Sequence, residues 1–242
     1  ETVAELLPYR GFARKIFDGA QTKIPTFHGV VVRKDFAEKY PEVIVAYIKA
    51  MMDADAWVRK DPKLAAEKIQ EWTKIEKEVV YIFLGPGGLH TLDPTIKPIL
   101  VNAIRTDFTV LQKLNRVKQF NVDAWVNETY VRQAFKERGL DYEAQKQTLA
   151  NYDVEGKDPI CNKAVTRPKE AGEIWIEGGN IVPLSSTVCT FMGIKKYEAA
   201  GKKIAVAYVY DKSLGLKVFA DKAFYSVNGT AANLEVLSLI HI

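Results

Sequence analysis

The spacing of apolar residues changes once along this chain, near residue 153, and no single secondary-structure period fits both sides of the change. From Tyr40 to Tyr152 apolar side chains recur at the three-to-four-residue interval that lines one face of a helix. Beyond Gly172 they recur at every second residue, as on strands with two unlike faces. A helical part followed by a strand-rich part predicts two bodies of different class.

The individual elements follow from breakers and caps. Pro41 to Arg59 opens with proline, which a first helical turn accepts, and sets Val45, Ile48, Met52 and Ala56 on one stripe beside Trp57. Asp61-Pro62 restarts the pattern for a helix through Leu64, Ile69 and Trp72, and Glu76 to Leu84 is a third, ended by Gly85-Pro86-Gly87-Gly88. Asp93-Pro94 caps a long helix running to Leu114. Val122 to Arg138 and Tyr142 to Leu149 complete the set. Upstream, Gly29-Val30-Val31-Val32-Arg33 reads as a short buried strand. Residues 153–172 are polar and aperiodic, with Gly156, Pro159 and Pro168, and read as a linker. Strands are expected over 173–177, 181–184, 203–210, 216–220 and 223–227, with Gly178-Gly179-Asn180 as a hairpin turn and one helix at 194–200.

Composition removes several function classes. Hydrophobic residues at 48% supply a core, and 34 Lys and Arg against 30 Asp and Glu are scattered without the basic stripe that phosphate backbones require. Nucleic acid is not an expected partner. No apolar run approaches the ~20 residues that span a bilayer. The terminal string Leu237-Ser238-Leu239-Ile240-His241-Ile242 resembles the translation of a sequencing adapter, so His241 is discounted. With Glu1 in place of an initiator Met, the chain reads as a piece of a longer reading frame whose signal peptide lies outside it.

The first part, residues 1–152, contains an ordered series: an apolar strand, Arg33-Lys34-Asp35-Phe36, Tyr40-Pro41-Glu42, a long helix, Trp57-Val58-Arg59-Lys60-Asp61-Pro62, Ala65-Ala66, and later Phe120-Asn121-Val122-Asp123-Ala124-Trp125-Val126-Asn127-Glu128. This order resembles the C-terminal half of solute-binding proteins of ABC importers for nitrate, aliphatic sulfonates, taurine and related small anions. The resemblance implies a fragment of an α/β periplasmic-binding-protein type II fold, the Venus flytrap, mostly helical here. It also implies a small-molecule ligand, an ABC permease as membrane partner, no required cofactor and no catalysis. Thr26, Phe27 and His28 would then lie where the lobes cross, beside the cleft. His90, in the loop after Gly85, would reach a ligand together with the loop's backbone N–H groups. For His28 a backbone-bonded strand residue is the plainer alternative, and for the glycine loop a simple helix stop.

The second part, residues 173–236, is a small α+β body. Cys189-Thr190-Phe191-Met192, Ala207-Tyr208-Val209-Tyr210-Asp211 and Phe219-Ala220-Asp221-Lys222-Ala223-Phe224-Tyr225-Ser226-Val227 make it similar to the NosL-like family, extracytoplasmic accessory lipoproteins that handle copper. Asp158-Pro159-Ile160-Cys161 stands at the family's Cys-Gly-Met motif, but Asn162 and Lys163 replace Gly and Met. Cys161, Cys189 and Met192 are the residue types a Cu(I) site would use, with Cys189 and Met192 one helical turn apart. Core packing of that pair, and a Cys161–Cys189 disulfide, are the competing readings. Both resemblances imply a periplasmic or otherwise extracytoplasmic protein, the second a membrane-anchored lipoprotein. A third class, an enzyme of thiamine-pyrimidine synthesis on a related flytrap fold, would need a Cys/His-rich iron-binding motif that the sequence does not contain.

Overall fold

The structure, a computed structural model, describes residues 3–22, 24–25, 29–119, 121–148, 151–227 and 234–237. The helices are α1 (Val3–Tyr9), α2 (Lys34–Lys39), α3 (Pro41–Lys60), α4 (Pro62–Thr73), α5 (Lys77–Leu84), α6 (Pro98–Lys113), α7 (Val122–Trp125), α8 (Thr129–Glu137), α9 (Tyr142–Gln147) and α10 (Thr187–Ala199). The strands are β1 (Lys157–Asp158), β2 (Lys163–Ala164), β3 (Gly172–Ile176), β4 (Ile181–Leu184), β5 (Ile204–Tyr210), β6 (Lys217–Phe219), β7 (Phe224–Val227) and β8 (Leu234–Leu237). No helix among the described residues is long and apolar enough to cross a membrane.

The chain folds into two compact units, and they are not the two bodies expected. One unit joins Glu1–Asp18, Trp57–Thr91 and Asn151–Ile242; the other joins Gly19–Ala56 and Leu92–Ala150. The physical reason lies in the sheet of the first unit. Its antiparallel strands run in the order β4-β3-β5-β6, with Glu173 opposite Tyr208, Trp175 opposite Val206 and Tyr210 opposite Lys217. Both faces carry apolar clusters. Ile174, Leu184, Ala207, Val209 and Val218 pack with Cys189 of α10. Trp175, Val206, Tyr208 and Phe219 pack with Val79 to Ile82 of α5 and Ala66 of α4. A strand set reading as half-buried is therefore buried on both sides, and α4 and α5, assigned by sequence to the first domain, are the cover of the second face. Each fully buried aromatic or large aliphatic side chain stabilises by about 1.5–3 kcal/mol.

The expected linker at 153–172 is part of this unit. Val154 and Ala171 are buried with Tyr210, Asp158 is fully enclosed, and β1 pairs with β2. Its aperiodicity reflects a tight hairpin, which has too few residues to show a period.

The second unit is helical among its described residues. Val131, Phe135 and Tyr142 form its core, with Ile48, Met52 and Ile96 against them. α6 starts at Pro98, later than the Asp93-Pro94 signal, because Asp93 Oδ1 takes the Thr95 N–H in a local turn while Pro98 supplies the first helical turn. The expected helix from Val122 to Arg138 is broken into α7 and α8. Asn127 Oδ1 accepts the Thr129 N–H at 2.9 Å, a side-chain turn competing with the helical bond.

The segment expected as a buried strand, residues 29–33, has no strand pairing, and Val30, Val31 and Val32 are exposed. β-Branched composition favours extended backbone, but a strand needs a neighbour for its ladder, and this segment has none among the described residues.

Candidate functional site

The most concentrated chemistry lies where β1, the end of β4 and the start of α10 converge. Asp158, at the end of β1, is a turn-former: its Oδ1 accepts the N–H of Ile160 at 2.7 Å and of Cys161 at 2.9 Å. Its Oδ2 accepts the Ser185 N–H at 2.8 Å and the Ser185 hydroxyl at 2.7 Å. Burial alone would raise the pKa of this carboxyl, but the four bonds outweigh it and hold the group below its ordinary value. The hairpin turn closes through Asn162, whose φ of 53° lies in the left-handed region. Glycine and asparagine are the residues that tolerate this region best, so Asn162 suits the turn. Lys163 is an exposed residue of β2.

α10 begins earlier than the sequence pattern suggested because Ser186 caps it, its Oγ accepting the Cys189 N–H at 3.2 Å. The helix lies close on the sheet. A Cβ at Gly172 would fall 2.0 Å from Thr190 Oγ1, and one at Gly193 would fall 2.8 Å from Ile174 Cδ1. That close approach brings Cys189, 6% exposed, to the half-buried Cys161, and the two form a disulfide with Cα atoms 6.0 Å apart. The Ser186 hydroxyl donates to Cys189 Sγ at 3.1 Å.

Asp158, Cys161 and Cys189 offer ligand atoms within 4.8 Å of one another, a cluster that could hold a metal ion. As a disulfide the sulfurs are bonded to each other and offer no thiolate. The donor set fits a thiophilic ion once that bond is reduced. Met192, expected in the set, is 51% exposed on α10 while Cys189 faces the core, so one helical turn of separation does not place the two together here.

The other sites expected from sequence fare differently. Thr26, Phe27 and His28 lie outside the described residues, as does His241. His90 is half-buried, and its N–H donates to Phe83 O at 2.8 Å. The glycine loop does not hold its backbone out to a ligand: Gly85 N–H goes to Tyr81 O, Gly87 to Tyr152 O, Gly88 to Gly85 O and Leu89 to Ile82 O. The helix-stop alternative is the one its geometry fits.

That loop instead anchors a buried charge cluster that the sequence pattern did not flag. Lys217 pairs with the Glu173 carboxylate, donates to Pro86 O at 2.7 Å and lies over the Tyr81 ring at 4.3 Å. Tyr81 donates its hydroxyl to Glu173 Oε1 at 2.6 Å. Burial lowers the Lys217 pKa against the opposing pull of Glu173, and burial together with Glu173 raises that of Tyr81. A charge within each of two otherwise apolar strands was the available signal.

The second unit carries a groove of about 630 Å³ whose cations are Arg105, Arg132 and Lys146. Each is already matched, Arg105 by Asp123, Arg132 by Glu128 and Glu143, and Lys146 by Glu128. An anion entering there would compete with resident carboxylates.

No protein-family model, curated protein or solved structure matches this chain.

Proposed function

We propose that this chain is part of an extracytoplasmic solute-binding component of an ABC importer for a small anion or related solute of the nitrate, sulfonate and taurine kind, acting without catalysis. The observation that carries the reading is where its ordered phrases fall. Asp35-Phe36 lies in the first turn of α2, Pro41-Glu42 opens α3, Asp61-Pro62 caps and opens α4, and Asn121 caps α7. A flytrap lobe built from such helices is the implied fold. The Cys161–Cys189 bond supports an oxidising compartment. The mechanism is cleft closure on the solute, then docking of the closed form on the permease. The test is a thermal-shift and calorimetric screen of nitrate, taurine, alkanesulfonates and pyrimidines against the chain and against the reading frame extended upstream of Glu1. Saturable stabilisation of the extended form by one of these solutes supports the reading, and none with any of them refutes it.

A second reading is favoured by the Asp158–Cys161–Cys189 cluster: a copper-binding accessory role for the C-terminal part. Cu(I) is the ion two thiolates would select, and Asp158 would add a harder oxygen donor. Stoichiometric Cu(I) uptake by the reduced chain, lost in Cys161→Ser and Cys189→Ser, tests it.

A further inference from the structure

The two sulfurs of the disulfide sit in unlike surroundings. Cys161 is half-buried in the turn between β1 and β2, whereas Cys189 is buried at the third position of a 13-residue helix. The hydroxyls near Cys189 Sγ are unlike too. Ser185 Oγ is 3.5 Å from the sulfur but 2.7 Å from Asp158 Oδ2, so its single proton goes to the carboxylate. Ser186 Oγ, at 3.1 Å, donates to the sulfur. An incoming thiolate therefore reaches Cys161 Sγ, and the sulfur it displaces is the one that a hydroxyl and a helix N-terminus stabilise as an anion.

We propose that the Cys161–Cys189 bond is a redox gate on the Asp158 cluster, closed to cations when oxidised and opened by a dithiol reductant. The proposal rests on the metal-binding reading above and adds its regulation. One thiolate of the dithiol attacks Cys161 Sγ; the Cys161–Cys189 S–S bond breaks and its electron pair leaves on Cys189 Sγ. The second thiolate of the reductant attacks its own sulfur in the mixed disulfide and releases Cys161. The reductant ends as its cyclic or protein disulfide, and two electrons have passed to the cysteines. The carboxylate that accepts four hydrogen bonds, within 4.8 Å of both sulfurs in the disulfide form, then faces two thiols that release their protons to solvent as an ion binds. In the oxidised form the same three positions present one carboxylate and a neutral S–S bond, and no thiophilic ion is held.

The test uses the intact chain in two preparations, one oxidised with no titratable thiol and one reduced by a phosphine that is then removed. Each is titrated with Cd(II), read by the ultraviolet thiolate-to-cadmium charge-transfer band, and with Cu(I) against a chromogenic competitor. The expected result is one equivalent bound by the reduced chain and no band from the oxidised one. In the reduced chain, Asp158→Asn weakens binding by at least about tenfold, the lower end of what losing a supporting group costs a metal site. Ser186→Ala slows reduction by dithiothreitol, and an unchanged rate overturns the assignment of Cys189 as the leaving sulfur. Equal binding by both preparations overturns the gate and leaves the metal reading standing. Binding by neither overturns both. Loss of the folded far-ultraviolet circular dichroism on reduction makes the bond a staple and also overturns the gate.

Discussion

Lys217→Met removes the ammonium from a fully enclosed charge cluster while keeping a chain of similar length. Lys217 is 1% and Glu173 3% exposed, so neither charge has water to fall back on. Without the ammonium, the Glu173 carboxylate keeps only the Tyr81 hydroxyl at 2.6 Å as a close donor, and Pro86 O keeps the Tyr210 hydroxyl at 3.3 Å. Breaking a buried ion pair from one side costs about 3–5 kcal/mol. The charge-assisted bond to Pro86 O and the cation–π contact with Tyr81 are lost in the same step and are included in that cost. At roughly 2–4 °C per kcal/mol for a chain of this size, the single variant should melt about 6–20 °C lower.

Urea unfolding is the better assay because it separates stability from compactness through the slope. Trp175 is fully buried against Tyr81, whereas the other three tryptophans are exposed, so the blue-edge emission reports the first unit alone. The companion variant Glu173→Gln leaves an unpaired ammonium and should cost a similar amount. Combining the two removes both charges, so the double variant should recover about 1–3 kcal/mol relative to the sum of the single costs. A loss below about 1 kcal/mol in Lys217→Met, with no coupling in the double variant, would show that the pair is not desolvated as the fold implies, because exposed pairs contribute only that much.

Three further outcomes follow from the same unit. The Asp158 carboxyl is held below its ordinary 3.8 in the folded protein, so its contribution is present above that value and lost as pH falls through the folded one; Asp158→Asn should flatten the acid limb of a stability profile below about pH 4. Gly87→Ala should destabilise by at least about 1–3 kcal/mol on backbone strain alone, because φ is +59°. A Cβ at this position would also lie 1.6 Å from the Tyr210 hydroxyl oxygen, and an unchanged melting temperature would show that the loop does not pack as described. Residues 153–242 expressed alone should bind a hydrophobic dye and melt without cooperativity, since Trp175, Tyr208 and Phe219 lose α4 and α5; a sharp two-state transition would refute the assignment of those helices to the sheet's second face.

What could be read from the sequence was whatever a local rule governs. Prolines at Pro41 and Pro62 and the Asp61 cap placed α3 and α4 to within a residue, because capping chemistry acts within one turn. The same locality explains the early start of α10: Ser186 was a readable cap, hidden because Thr187 to Thr190 shows no helical period of its own. Asp158 before Cys161 is likewise a local turn signal, but its second partner, Ser185, lies 27 residues away and could be found only by folding. The Glu173–Lys217 pair is the sharpest case. Glu173 is on β3 and Lys217 on β6, and β5 runs between them, so the lysine reaches past the Tyr208 ring at 5.1 Å to meet its carboxylate. A charge inside an apolar strand already states that a partner must exist, since an unpaired buried ion costs several kcal/mol. Which residue that partner is depends on the order of strands in the sheet, and strand order is set by the covering of both faces rather than by any residue within a strand.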